Sequence, residues 1–137
     1  MDEEQRNRIE EAVAEWQKRL GLQHWDIEIR EEVLDEDTVA QMRSYVGRYK
    51  AFLVLTEAFF IYTPREQSEC IAHELIHLTQ ARMQDQLRSL TRNVSFDLSR
   101  AIVDLVNIEL EYMTDKIAQL LAGVLPIPNT LTEGDEE

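Results

Sequence analysis

The chain has 137 residues, a single cysteine and a formal net charge of −13. That length suffices for one domain with its own core, and a lone cysteine excludes an internal disulfide and suits a reducing compartment. The acidic balance argues against a nucleic acid held on a basic surface, and no signal peptide or membrane-spanning run is visible, so a cytoplasmic protein without a membrane partner is expected.

Residues 2–20 read as an amphipathic helix, with Ile9, Val13, Trp16 and Leu20 on one stripe and Gly21 just beyond its end. Trp25, Ile27, Ile29 and Val33 alternate as a half-buried strand, followed by an acidic loop over 34–38. Residues 39–49 contain a second strand interrupted near Gly47, and the apolar run 51–56 suits an interior strand. Residues 57–62 lead into a helix over about 64–85, which Thr63, Pro64 and Glu66 start with an N-cap, a first-turn proline and a capping box. A polar connection over 86–95, with Arg88, Arg92 and Asn93, reads as a loop that could also serve as a flap over a site. A second long helix runs from Phe96 to about Val124, with Val103, Val106, Leu110, Ile117 and Leu121 as its apolar face, and Pro126 and Pro128 end it.

The expected architecture is α+β: a small mixed β-sheet packed against an N-terminal helix and two long helices. Residues 1–125 make the single domain, and 126–137 an acidic polar tail.

His73, Glu74 and His77 form His-Glu-x-x-His within the first long helix. Residues four apart share a helix face about 6 Å apart along the axis, so the two imidazoles can converge on one ion. Zinc takes imidazole nitrogen at about 2.0–2.1 Å and prefers four ligands, and Glu74 can reach a water on it as general base. The second long helix offers a further ligand. Glu111 and Asp115 are also four apart: one carboxylate can complete the coordination and the other can accept the free N–H of a ligating imidazole. Glu109 competes with Glu111 but points about 200° away around the helix, and its own i+4 neighbour is Met113. Cys70, one turn before His73, reads as a small buried helix residue.

These two motifs resemble the gluzincin class of zinc metallopeptidases, in which a His-Glu-x-x-His helix precedes a helix carrying Glu-x-x-x-Asp. Glu111-Tyr112-Met113-Thr114-Asp115 is similar to the thermolysin form, with a small hydroxyl residue before the aspartate. The layout from about residue 9 to 122 also resembles the compact single-domain minigluzincins of phages and prophages. The resemblance implies one zinc per chain on His73, His77 and Glu111, Glu74 as general base, and Asp115 orienting His73. It implies hydrolysis of a peptide or protein substrate, which would lie along an exposed strand edge, with Val39–Tyr45 the candidate.

Larger gluzincins use a downstream His or Tyr to stabilise the oxyanion, and this chain has no histidine after His77. Tyr62 and Tyr112 are the first candidates for that role, with Tyr45, Tyr49 and His24 behind them. The alternative function is a catalytically inert zinc-binding module whose acidic surface holds a basic partner; a metal-free acidic binding protein is a third. The acidic charge could equally favour a basic peptide substrate, although solubility alone accounts for it.

Overall fold

The structure, a computed structural model, describes residues 1–132. It is α+β, as expected: a three-stranded mixed sheet, an N-terminal helix and two long helices.

Helix α1 (Glu3–Leu20) is closed at both ends by local chemistry. Asp2 and Gln5 form a reciprocal capping box, and Gly21 takes the left-handed conformation (φ 70°) that ends the helix. Its buried stripe is Ile9, Ala12, Val13 and Trp16, and the Trp16 indole N–H donates to Ser68 Oγ at 3.0 Å, so its polar edge is satisfied inside the core.

Strands β1 (Asp26–Glu31), β2 (Ala40–Tyr45) and β3 (Lys50–Leu55) are ordered β1-β3-β2. The apolar run therefore supplies the central strand, with Ala51, Leu53, Val54 and Leu55 buried. β1 runs parallel to β3 and β2 antiparallel, which leaves β2 as an edge. Val33 is not part of β1 and is 98 % exposed; β3 ends at Leu55, the partner of Glu31, so the ladder has nothing further to pair.

A short helix α2 (Glu57–Ile61) that the sequence reading did not separate seats Phe59 in the core. Helix α3 (Pro64–Leu90) starts at the expected capping box on Thr63. It continues past residue 85 because 86–90 contain no glycine or proline to stop it. The expected loop over 86–95 is thus a helical turn and a half, a 3-10 turn at Thr91–Asn93, and Ser95 capping the next helix, so no flap stands there.

Helix α4 (Phe96–Val124) packs along α3, but its inward stripe differs from the expected one. Leu110, Thr114, Ala118 and Ala122 are buried, while Ile117 is turned out and 40 % exposed. Small side chains at 114, 118 and 122 let the two helices approach closely.

Beyond it, Pro128 is buried and a short helix α5 (Asn129–Thr132) packs on α1, with Leu131 buried and Thr130 Oγ1 donating to the Arg8 carbonyl at 3.0 Å. The polar tail expected from 126 onwards therefore does not begin there; its acidic stretch 133–137 lies outside the described residues. No helix among the described residues is long and apolar enough to cross a membrane.

Candidate metal centre

The core side of α3 is set by Ile71, Ala72, Leu75, Ile76 and Leu78, which fixes the rotation of the helix. His73 and His77 then fall on the edge facing α4 and are half-buried, while Glu74 faces β2 and is buried. The two imidazole Nε2 atoms stand 3.1 Å apart. Glu111 reaches across from α4, with Oε1 2.9 Å from His73 Nε2 and Oε2 3.1 Å from His77 Nε2. Asp115 Oδ1 stands 2.9 Å from His73 Nδ1, on the other side of the same ring.

This arrangement has a consequence for protons. An ionised carboxylate only accepts, so beside Asp115 the neutral His73 ring carries its proton on Nδ1 and presents Nε2 as a lone pair. That lone pair faces a Glu111 oxygen, itself an acceptor, and the second imidazole. Converging in this way, the three groups need positive charge among them, from protons on the imidazoles or from a metal cation. The residues present fit a metal ion on that ground.

His73, Glu74 and His77 form a group able to hold a metal, with ligand atoms within 4.8 Å of one another, and His73, Glu111 and Asp115 form an overlapping one. Interatomic distances separate the roles. Glu74 Oε1 is 4.0 Å from His73 Nε2, a full ångström farther than Glu111 Oε1 at 2.9 Å. Glu74 is therefore set back from the point where the other three meet.

Electrostatics distinguish Glu74 further. Burial drives its carboxyl up to about 8, the Glu111 charge adds to the rise, and the Met42 backbone N–H on β2 works against it. Burial also holds His77 below its ordinary value; Glu111 opposes this, His73 adds to it, and a hydrogen bond with Gln80 opposes it too. Cys70 is inert by the same physics: burial, then the charges of Glu74 and Glu69, pushes its thiol up to about 12.

A cleft of about 510 Å³ opens beside the group and is lined by Val39 and Ala40 at the start of β2, by Tyr62, and by His73, Glu74 and Asp115. A smaller hollow of about 320 Å³ continues along β2 past Met42 and Ser44 to His77 and Glu111. Among the tyrosines, Tyr62 lines the cleft. Tyr112 is exposed on α4 with Lys116 Nζ 5.6 Å from its ring, and lines neither space. Tyr49 and His24 pack on each other and on Trp25, and Tyr45 packs on Phe52, away from the histidines. Glu109 has no part in either ligand group, as its place on the helix implies.

Gln80 escaped the sequence reading, and Thr114 figured there only as a small hydroxyl before the aspartate. Gln80 Nε2 donates to Thr114 Oγ1 at 2.9 Å, and Thr114 in turn donates to the Leu110 carbonyl at 2.7 Å. Both side chains are buried, so this bond ties α3 to α4 one turn from His77 and next to Asp115. Buried polar residues at 80 and 114, on otherwise apolar stripes, were the available signal.

Comparison with known protein families, with curated proteins and with solved structures gives no match.

Proposed function

We propose that the protein is a zinc-dependent metallopeptidase of gluzincin type, holding one zinc on His73, His77 and Glu111 and hydrolysing a peptide bond with Glu74 as general base. The observation that carries this reading is the triangle of His73 Nε2, His77 Nε2 and Glu111 oxygens, with edges of 2.9 to 3.1 Å. Tetrahedral ligands at about 2.0–2.1 Å from zinc stand roughly 3.3 Å apart, close to those edges. Three protein ligands also leave a position open, as catalytic zinc requires and structural zinc does not. Zinc bound there supplies a hydroxide nucleophile near neutral pH and polarises the scissile carbonyl.

The chain's own groups do the rest. Glu74, buried and set 4.0 Å from His73 Nε2, stands where a base accepts the proton of the attacking water and later returns it to the leaving amine. Asp115 keeps the His73 proton on Nδ1, so that Nε2 remains a ligand. Tyr62, on the wall of the cleft, is assigned the hydrogen bond to the oxyanion. The free edge of β2 offers backbone groups to an extended peptide passing Glu74. A free cysteine with an inert thiol is compatible with a reducing, cytoplasmic setting.

The test is hydrolysis of a mixed library of quenched fluorescent peptides by the zinc-loaded protein. The wild type cleaves a subset, and Glu74→Gln retains zinc but loses turnover. A zinc-loaded wild type that leaves every peptide intact leaves the catalytically inert zinc-binding module as the surviving account.

A further inference from the structure

The side of α4 that faces away from α3 carries a row of large apolar residues that no other element among the described residues covers. Leu105, Ile108, Tyr112, Met113, Ile117 and Leu120 are 40 % to 67 % exposed. An apolar strip of this length on a chain of net charge −13 is more than scattered surface hydrophobicity.

Its order reads alike from both ends. About the midpoint between Tyr112 and Met113, Leu105 mirrors Leu120, Ile108 mirrors Ile117, and Glu109 mirrors Lys116. At about 100° per residue, Glu109 and Lys116 point within roughly 10° of the direction of that midpoint, Leu105 and Leu120 within about 30°, and Tyr112 and Met113 within about 50°. These six make a seam, and Ile108 and Ile117 flank it.

A two-fold axis level with the midpoint lays a second α4 antiparallel on the first, with each residue at the level of its mirror. Apolar then meets apolar along most of the seam; Val106 falls opposite Gln119, and Glu109 meets Lys116 of the second copy, twice by symmetry. Within one helix these two residues are about 10 Å apart along the axis and cannot pair. Among the described residues neither has an ion-pair partner in its own chain.

We propose that the protein is a two-fold homodimer through this face of α4, its register set by the reciprocal Glu109–Lys116 pairs. At roughly 80 Å² per large side chain the face contributes on the order of 600 Å² per copy, near the ~800 Å² per partner of a standard interface. Glu111 and Asp115 lie on the adjoining edge of α4, turned to α3, so the dimer is independent of the metal centre.

Sedimentation velocity of the full chain across a wide concentration range tests this. The wild type is expected at twice the chain mass. Glu109→Lys and Lys116→Glu each weaken association about tenfold or more, and the double reversal restores it. The single variants shift the net charge in opposite directions, so repulsion between two acidic chains cannot imitate this pattern. A strict monomer, or a dimer indifferent to both reversals, overturns the proposal. Both positions are exposed, and circular dichroism checks that each variant remains folded.

Discussion

Asp115 Oδ1 lies 2.9 Å from His73 Nδ1, and Glu111 Oε1 lies 2.9 Å from Nε2 of the same ring. One imidazole is thus held from both sides by carboxylates one helical turn apart on α4. In the proposed metal centre Asp115 would act on the ion through His73. Asp115→Asn is expected to lower zinc affinity by about 10- to 100-fold while leaving one zinc per chain at saturation. Competition against a chromophoric chelator measures it. Unchanged affinity means that the hydrogen bond does not tune the ligand.

Glu111 bridges both histidines, whereas Glu109 belongs to neither ligand group. Glu111→Ala should reduce zinc affinity by several orders of magnitude, and Glu109→Ala should leave it within about threefold. Calorimetric zinc titration of both variants distinguishes them. Equal binding by the two contradicts the three-ligand assignment.

Glu74 gives a pH-dependent prediction for the metal-free protein. Its carboxyl is raised from the ordinary 4.5 to about 8, chiefly by burial and then by the Glu111 charge. The folded state therefore holds this proton more tightly than the unfolded chain. The associated stability is fully present below pH 4.5 and is lost as pH rises through about 8. Glutamine mimics the protonated acid and cannot ionise. With a chelator present, Glu74→Gln should be more stable than wild type near neutral pH, by on the order of 2–3 kcal/mol, and nearly equal to it at acidic pH. Urea unfolding at a series of pH values reads the difference, and a gap that does not close on acidification refutes it.

Tyr62 is the tyrosine lining the cleft beside His73 and Glu74. If it donates to the oxyanion, Tyr62→Phe lowers kcat about 100-fold or more with KM little changed. Tyr112→Phe, by contrast, leaves both constants unaltered, because Tyr112 lines neither space beside the candidate metal centre.

The helices and the candidate ligands were legible because each rests on a local signal. The Thr63–Glu66 box, the left-handed Gly21 and the two i,i+4 pairs state their geometry within one or two turns. What escaped depends on distant neighbours. The end of β1 is set by where β3 stops; the length of α3, by contrast, was open to a local reading, since 86–90 carry no glycine or proline. Ile117 fits an apolar periodicity as well as Ala118 does; only the close approach of α3 decides that the smaller residue goes inward. Glu74 was legible as a candidate base from the motif, but its raised carboxyl comes from burial beneath β2, which no spacing reveals.

Zinc stoichiometry tests the central claim most directly. Protein prepared without a histidine tag, stripped with a chelator, reloaded with excess zinc and desalted should carry about one zinc per chain by elemental mass spectrometry. The His73→Ala, His77→Ala double variant should carry none. A wild-type chain that retains no zinc after reloading, or a double variant that retains as much, contradicts a metal centre on His73, His77 and Glu111.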